Sequence, residues 1–182
     1  YIVHITMPRS ILKITIAVVF TYLGLRIFTS NVTTTHDVIP SPEIENMATS
    51  MTQSLFTTTS YTAPVGPNVT PSAVMTSMFS SWAIAPEKII LKLVVAEYMP
   101  LSDEVHTKIF GMFDVKENDQ HYCILHWKLA TLEGLHVFSV AESTAIFETV
   151  FWSKRPLSKP FLLFHDLYSQ ILLAAAVKKL AH

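Results

Sequence analysis

Glycine is scarce: there are four in the chain. A loop that cradles phosphate needs several of them close together, and neither a P-loop nor a dinucleotide fingerprint is present. Cysteine is scarcer still. Cys123 is alone, so no intrachain disulfide can form, and a secreted disulfide framework is excluded. The expected state is a buried apolar thiol inside a strand. Charge is thin, at 15% of residues, and it is unevenly spread. The first 36 residues carry Arg9, Lys13 and Arg26 and no acid. Residues 37–86 carry Asp37, Glu43 and Glu45 and no lysine or arginine. The net charge is −1. No basic patch survives this count, which argues against a nucleic-acid partner.

What is present is apolar surface. Half of the residues are hydrophobic, a composition that leans toward membrane or large-assembly proteins. An apolar run extends from Ile11 to Phe28, broken only by Lys13 and Arg26. At about 1.5 Å per residue, a helix over this run spans roughly 27 Å, close to the thickness of a hydrocarbon core. The two cations sit near its ends, where long side chains reach the headgroups. The run is therefore read as a single transmembrane anchor. Competing readings are a signal-peptide core, an acid-free organelle-targeting stretch ahead of an anchor, and a buried helix. A signal peptide cleaved after Ser30 would place Phe28 where a small residue is wanted. The positive-inside tendency leaves the carboxyl-terminal part on the far side of the membrane, in a lumen or intermembrane space. A mitochondrial inner membrane is favoured over the secretory pathway.

From Thr29 to Ser81 the composition turns to serine and threonine with scattered prolines. By composition alone this is an O-glycosylated stalk, and Asn31 and Asn68 each begin an N-glycosylation sequon. Helical order runs beneath that composition. Ser41-Pro42-Glu43 makes a helix start, followed by Ile44, Met47, Met51 and Leu55 at helical spacing. Thr70-Pro71 repeats the start, and Val74, Met75, Met78, Phe79 and Trp82 make a second stripe. The opposite faces of both helices are nearly uncharged, which suits a partner better than open water. Met47, Met51, Met75, Met78, Phe79 and Trp82 are thus the candidate interaction residues, with membrane lipid and other protein subunits as the expected partners.

Beyond residue 86 the texture is that of an ordinary globular domain. Thr107 to Val115 alternates as one strand with Gly111 as a bulge. Cys123, Leu125, Trp127 and Leu129 line one face of the next strand. A turn at Thr131–Gly134 leads to strands over 135–141 and 145–152, and Pro160 opens a long helix to about Leu180. The expected fold class is α+β: an N-terminal transmembrane helix, two amphipathic helices, then a small antiparallel β-meander covered by a long C-terminal helix. The expected division is an anchor over 1–30, a low-charge segment over 31–86 and an α+β domain over 87–182.

His121, Cys123 and His126, with His136 nearby, are the best metal-ligand candidates, since imidazole and thiolate suit zinc. On a strand, however, His126 faces away from the other two. His165 and Asp166 are adjacent on a helix and diverge by about 100°, so they form no dyad with each other. Glu142 and Glu148 pair only if the turn between them brings them together. No catalytic or cofactor motif is found. The expected function is a non-catalytic single-span membrane protein, an accessory or scaffold subunit of a larger complex. The alternatives are a cell-surface or secreted glycoprotein with a Ser/Thr-rich stalk and a small binding head, and a small enzyme or carrier domain.

Overall fold

Five threonines and serines in a row of nine define the segment Phe56–Pro64. Threonine is β-branched, stiff at χ1 and suited to a pleated surface. The segment is accordingly a strand, not a glycosylated stalk. The computed structural model describes residues 21, 24–36, 56–86, 88, 108–109, 113–129, 132–153 and 156–182. Most of the expected anchor, and the helix expected to carry Met47 and Met51, lie outside the described residues.

Among the described residues, seven antiparallel strands form one sheet: β1 (Thr33–His36), β2 (Phe56–Pro64), β3 (Lys108–Ile109), β4 (Phe113–Asn118), β5 (Tyr122–Leu129), β6 (Leu132–Ala141) and β7 (Thr144–Ser153). Their order is β1-β2-β7-β6-β5-β4-β3. The meander runs from β3 to β7, and β2 then pairs with β7 along its whole length. The sheet therefore crosses the boundary expected at residue 86.

Two helices cover one face. Thr70 caps α1 (Pro71–Phe79), its hydroxyl accepting from the Ala73 amide at 3.2 Å, with Pro71 opening the first turn. Ser158 caps α2 (Lys159–Leu180) by accepting from the Phe161 amide. Lys178 and Lys179 lie in its last turn, where the helix dipole favours cations. α1 packs on α2 and over β5 and β6, and α2 crosses β2. The main core lies between: Tyr61, Val74, Met78, Phe79, Leu125, Phe138, Phe147 and Leu173 are all buried. A second buried cluster, Ile124, Leu135, Val137, Val150 and Trp152, occupies the opposite face of the sheet.

α2 is the one helix among the described residues that is long and apolar enough to cross a bilayer. Its two halves differ. Leu172–Val177 is wholly buried, whereas Leu163 is 70% and Phe164 65% exposed. The helical spacing of Phe161, Phe164, Leu167, Tyr168, Ile171, Leu172 and Ala175 predicts one broad apolar face, but Phe164 stands outside the core that Tyr168, Ile171, Leu172 and Ala175 join.

Two local readings are corrected. Ile109 pairs with Phe113, so the expected single strand is a hairpin, and the bulge lies between Val115 and Glu117. Leu129 pairs with Leu132, so Gly134 is inside β6, not in the turn. It stands opposite Trp127 and Phe151. A Cβ there would collide with the Val150 carbonyl oxygen and meet the Trp127 ring at 2.8 Å. Neither neighbour is a flexible chain end, so the indole sits in a place that any side chain would fill. Gly134→Ala is expected to lower stability by about 1–3 kcal/mol through overpacking, read as a shift in the urea midpoint.

Candidate functional site

Strand register aligns one row of side chains across the helix-covered face: Leu125, His136, Thr149, Thr59 and His36. Period-two alternation puts Tyr61, Cys123 and Phe147 on this same face, and all three belong to the main core. The row is apolar at one end and polar at the other. The first half of α2 lies along the polar end, presenting His165 and Asp166. Between helix and sheet is an open cleft of about 350 Å³. Phe151, Leu162, Leu163 and Thr57 wall it, and His36, Thr59, His165, Asp166 and Lys159 supply its polar groups.

Asp166 ties the two layers. Tyr61 is fully buried, and its hydroxyl donates to Asp166 Oδ1 at 2.8 Å. The second carboxylate oxygen lies 3.4 Å from Nε2 of the exposed His36. Burial first, then the bond to Asp166 and its charge, push the Tyr61 phenol far up, so it remains a proton donor at any physiological pH. Its ring stacks on Phe147 at 5.8 Å.

The two interior histidines are held neutral. His136 is enclosed by Phe113, Trp127 and Phe147, with ring centroids 5.3–5.8 Å away. Burial, then the proximity of His165, lower it to about 3. His165 meets Phe151 edge-on at 4.6 Å. Burial lowers it to about 4, although Asp166 pulls the other way. His165 and Asp166 take different partners, as their helical divergence requires.

The expected metal ligands do not converge. His121 is exposed in the turn before β5, where its amide donates to Asp119 at 2.7 Å. Cys123 is buried on the helix side, with Sγ 3.6 Å from Met75 Sδ. Burial pushes its thiol up to about 12, well away from the thiolate a metal needs. His126 faces the other side, bound to Glu133 at 2.9 Å. Lys128 holds the second oxygen of Glu133 at 3.2 Å. Burial works to raise the Glu133 carboxyl, but these two partners prevail and hold it below its usual range. Among the described residues no group of three metal-binding side chains gathers.

The other candidates divide. Met75, Met78 and Phe79 are buried against the chain's own sheet and are not open to a partner. Trp82 is 65% exposed. Met47 and Met51 lie outside the described residues. Asn31 and Asn68 are both exposed, and Asn68 has a positive φ of 64°, a conformation asparagine tolerates. Glu142 is in a turn with φ 55°, while Glu148 pairs with Val137 and Ser60 further along the sheet, so the two acids stay apart.

His36, Thr59 and Tyr61 had no place in the sequence reading. The available signal was the alternation Thr57, Thr59, Tyr61, Ala63 within a segment whose composition resembles a stalk. As for chemistry, the cleft offers apolar walls beside a carboxylate already engaged by a phenol and an imidazole. Such an arrangement binds and orients an apolar group that carries a polar end.

Tyr61→Phe leaves one Asp166 oxygen without its buried donor and is expected to destabilise by about 1–3 kcal/mol, measured by thermal unfolding. The histidines give a pH dependence of definite sign. Their folded values, about 4 and about 3, lie below the ordinary 6.5. Between 6.5 and these values the unfolded chain binds protons that the folded chain refuses, so stability falls with pH across that window and is complete above it. His165→Phe is expected to flatten the loss by up to ~1.4 kcal/mol per pH unit, read from urea midpoints at pH 7 and 4.5. No family model matches the chain, and neither a curated protein nor a solved structure matches it.

Proposed function

We propose that the chain is a non-catalytic, single-span membrane protein, an accessory subunit of a larger membrane complex, whose α+β body is held hard against the bilayer. The observation that carries this reading is the junction after the apolar run. Residues 24–28 are helical. The Thr29 amide and hydroxyl both donate to the Leu25 carbonyl, at 2.9 and 3.0 Å. The Val32 amide then donates to the Thr29 carbonyl, and β1 begins at Thr33. Thr29 is itself buried. Phe28 meets Trp82 edge-on at 5.6 Å and lies under Lys178 Nζ at 3.9 Å. Only four residues, 29–32, separate helix from sheet, a stretch that spans at most about 14 Å even when extended. A stalk lets a domain roam, whereas a hydrogen-bonded turn fixes its height and concentrates it for neighbours in the same membrane.

The exposed Leu163 and Phe164 beside the cleft support a docking role, since large apolar groups left in water favour a protein contact. A second reading, a carrier domain, is favoured by the cleft itself. The compartment follows the charge asymmetry: a mitochondrial inner membrane with the body on the far side.

Alkaline carbonate extraction followed by crosslinking mass spectrometry in native membranes tests the reading. The chain is expected in the membrane pellet, joined to other membrane polypeptides, with Leu163→Ser/Phe164→Ser reducing those links severalfold. Release into the carbonate supernatant, or a chain crosslinked to nothing, overturns it. An intact mass above that of the bare polypeptide points to the glycoprotein instead.

A further inference from the structure

The junction does more than shorten the tether, because it fixes which end of the body meets the lipid. We infer that Ile27, Phe28, Trp82, Lys178 and Lys179 form a membrane-interface face that seats the body on anionic headgroups. The inference rests on the tethered reading above and adds an orientation and a lipid chemistry to it. On the tethered reading the apolar run of the sequence ends at Phe28, which puts that residue at the boundary of the hydrocarbon core. Whatever touches Phe28 then lies at headgroup depth. Its neighbours are an indole 5.6 Å away and a lysine ammonium 3.9 Å away.

The side chains suit that depth. Trp82 is 65% and Ile27 74% exposed, large apolar areas that water disfavours. Tryptophan concentrates at membrane interfaces because its ring is apolar and its N–H is polar. Lys178 and Lys179 are exposed in the last turn of α2. Lys179 Nζ is held by the Ser80 carbonyl and hydroxyl, at 3.2 and 2.8 Å. That contact ties the cation to the turn carrying Trp82, so aromatic and cation form one surface. The face is continuous with the apolar run and positive in sign, which selects anionic lipid over a protein groove of unstated charge. The cleft and the exposed Leu163 belong to the opposite end of α2, roughly 22 Å away along a helix rising 1.5 Å per residue. They remain turned from the membrane.

Trp82 reports on the idea directly. The chain has three tryptophans; Trp152 is buried in the sheet, and Trp127 lies over Gly134. The full chain is reconstituted in vesicles of phosphatidylcholine and phosphatidylserine with bromine near the top of the acyl chains. Bromolipid is expected to quench about one tryptophan's share of the emission, and Trp82→Phe to abolish that quenching. Exchanging phosphatidylserine for phosphatidylcholine, or Lys178→Glu/Lys179→Glu, is expected to lower it about twofold or more. Quenching that ignores both changes overturns the anionic preference. A chain that resists carbonate but leaves Trp82 open to aqueous iodide overturns the seating while the tether stands. Protection from both quenchers means a protein covers the face, and it likewise overturns the seating. Release by carbonate overturns the tether and the seating together.

Discussion

The seating of the second half of α2 on the sheet is the constraint from which the other features follow. Leu172–Val177 contains three consecutive alanines, Ala174–Ala176, and all six of its residues are buried. Alanine costs no side-chain entropy and brings a helix axis close to its neighbour. Leu172 and Leu173 share one buried cluster with Phe138 and Phe147, and α1 packs beside them on α2. Tyr168 fastens the middle of the helix by donating to the Ala83 carbonyl at 3.2 Å. Before that point the residues are larger, Phe161, Leu162, Leu163, Phe164 and His165, and the cleft lies between them and the sheet. Close packing at one end of α2 and the cavity at the other are therefore two results of one gradient in side-chain size.

The same gradient explains the electrostatics. A row of side chains that begins at Leu125 and ends at the exposed His36 runs from dry interior to water. His136, in the aromatic part, must stay neutral. Asp166, at the wet end, holds two partners, the Tyr61 hydroxyl and the His36 imidazole. Tyr61 stands between them, its ring in the core and its hydroxyl on the carboxylate, the amphipathic role tyrosine fills where apolar and polar regions meet. The outer face answers differently. Glu133 there joins the His126 imidazole and the Lys128 ammonium, beside the apolar Ile124, Leu135 and Val137.

Elements with strong periodicity were legible from the sequence. β5, with Cys123, Leu125 and Trp127 on one side, and α2, with Pro160 at its start and two lysines at its end, stand where their patterns put them. The Thr70-Pro71 start of α1 was equally plain, because capping is local chemistry. β2 was hidden by composition: its threonines resemble a stalk, and only pairing with β7 makes their alternation meaningful. Gly134 resembled a turn residue because the sequence does not disclose that Trp127 lies over it. The cleft was out of reach for the same reason. His36 and Asp166 are 130 positions apart, and no periodicity links them. The helical spacing of His165 and Asp166 rules out a dyad between them, and the fold gives each a different partner.

The sheet's flanks carry one more consequence. Among the described residues its outermost strands, β1 and β3, are four and two residues long, against eight to ten in the central β5, β6 and β7. An unpaired strand margin is an open template for another chain, and brevity is one way to blunt it. β1 ends at the exposed His36, whose Nε2 lies 3.4 Å from Asp166. In a polypeptide this poor in charge, borders that short leave a stranger few backbone positions to copy among the described residues, which works against fibrillar polymerisation.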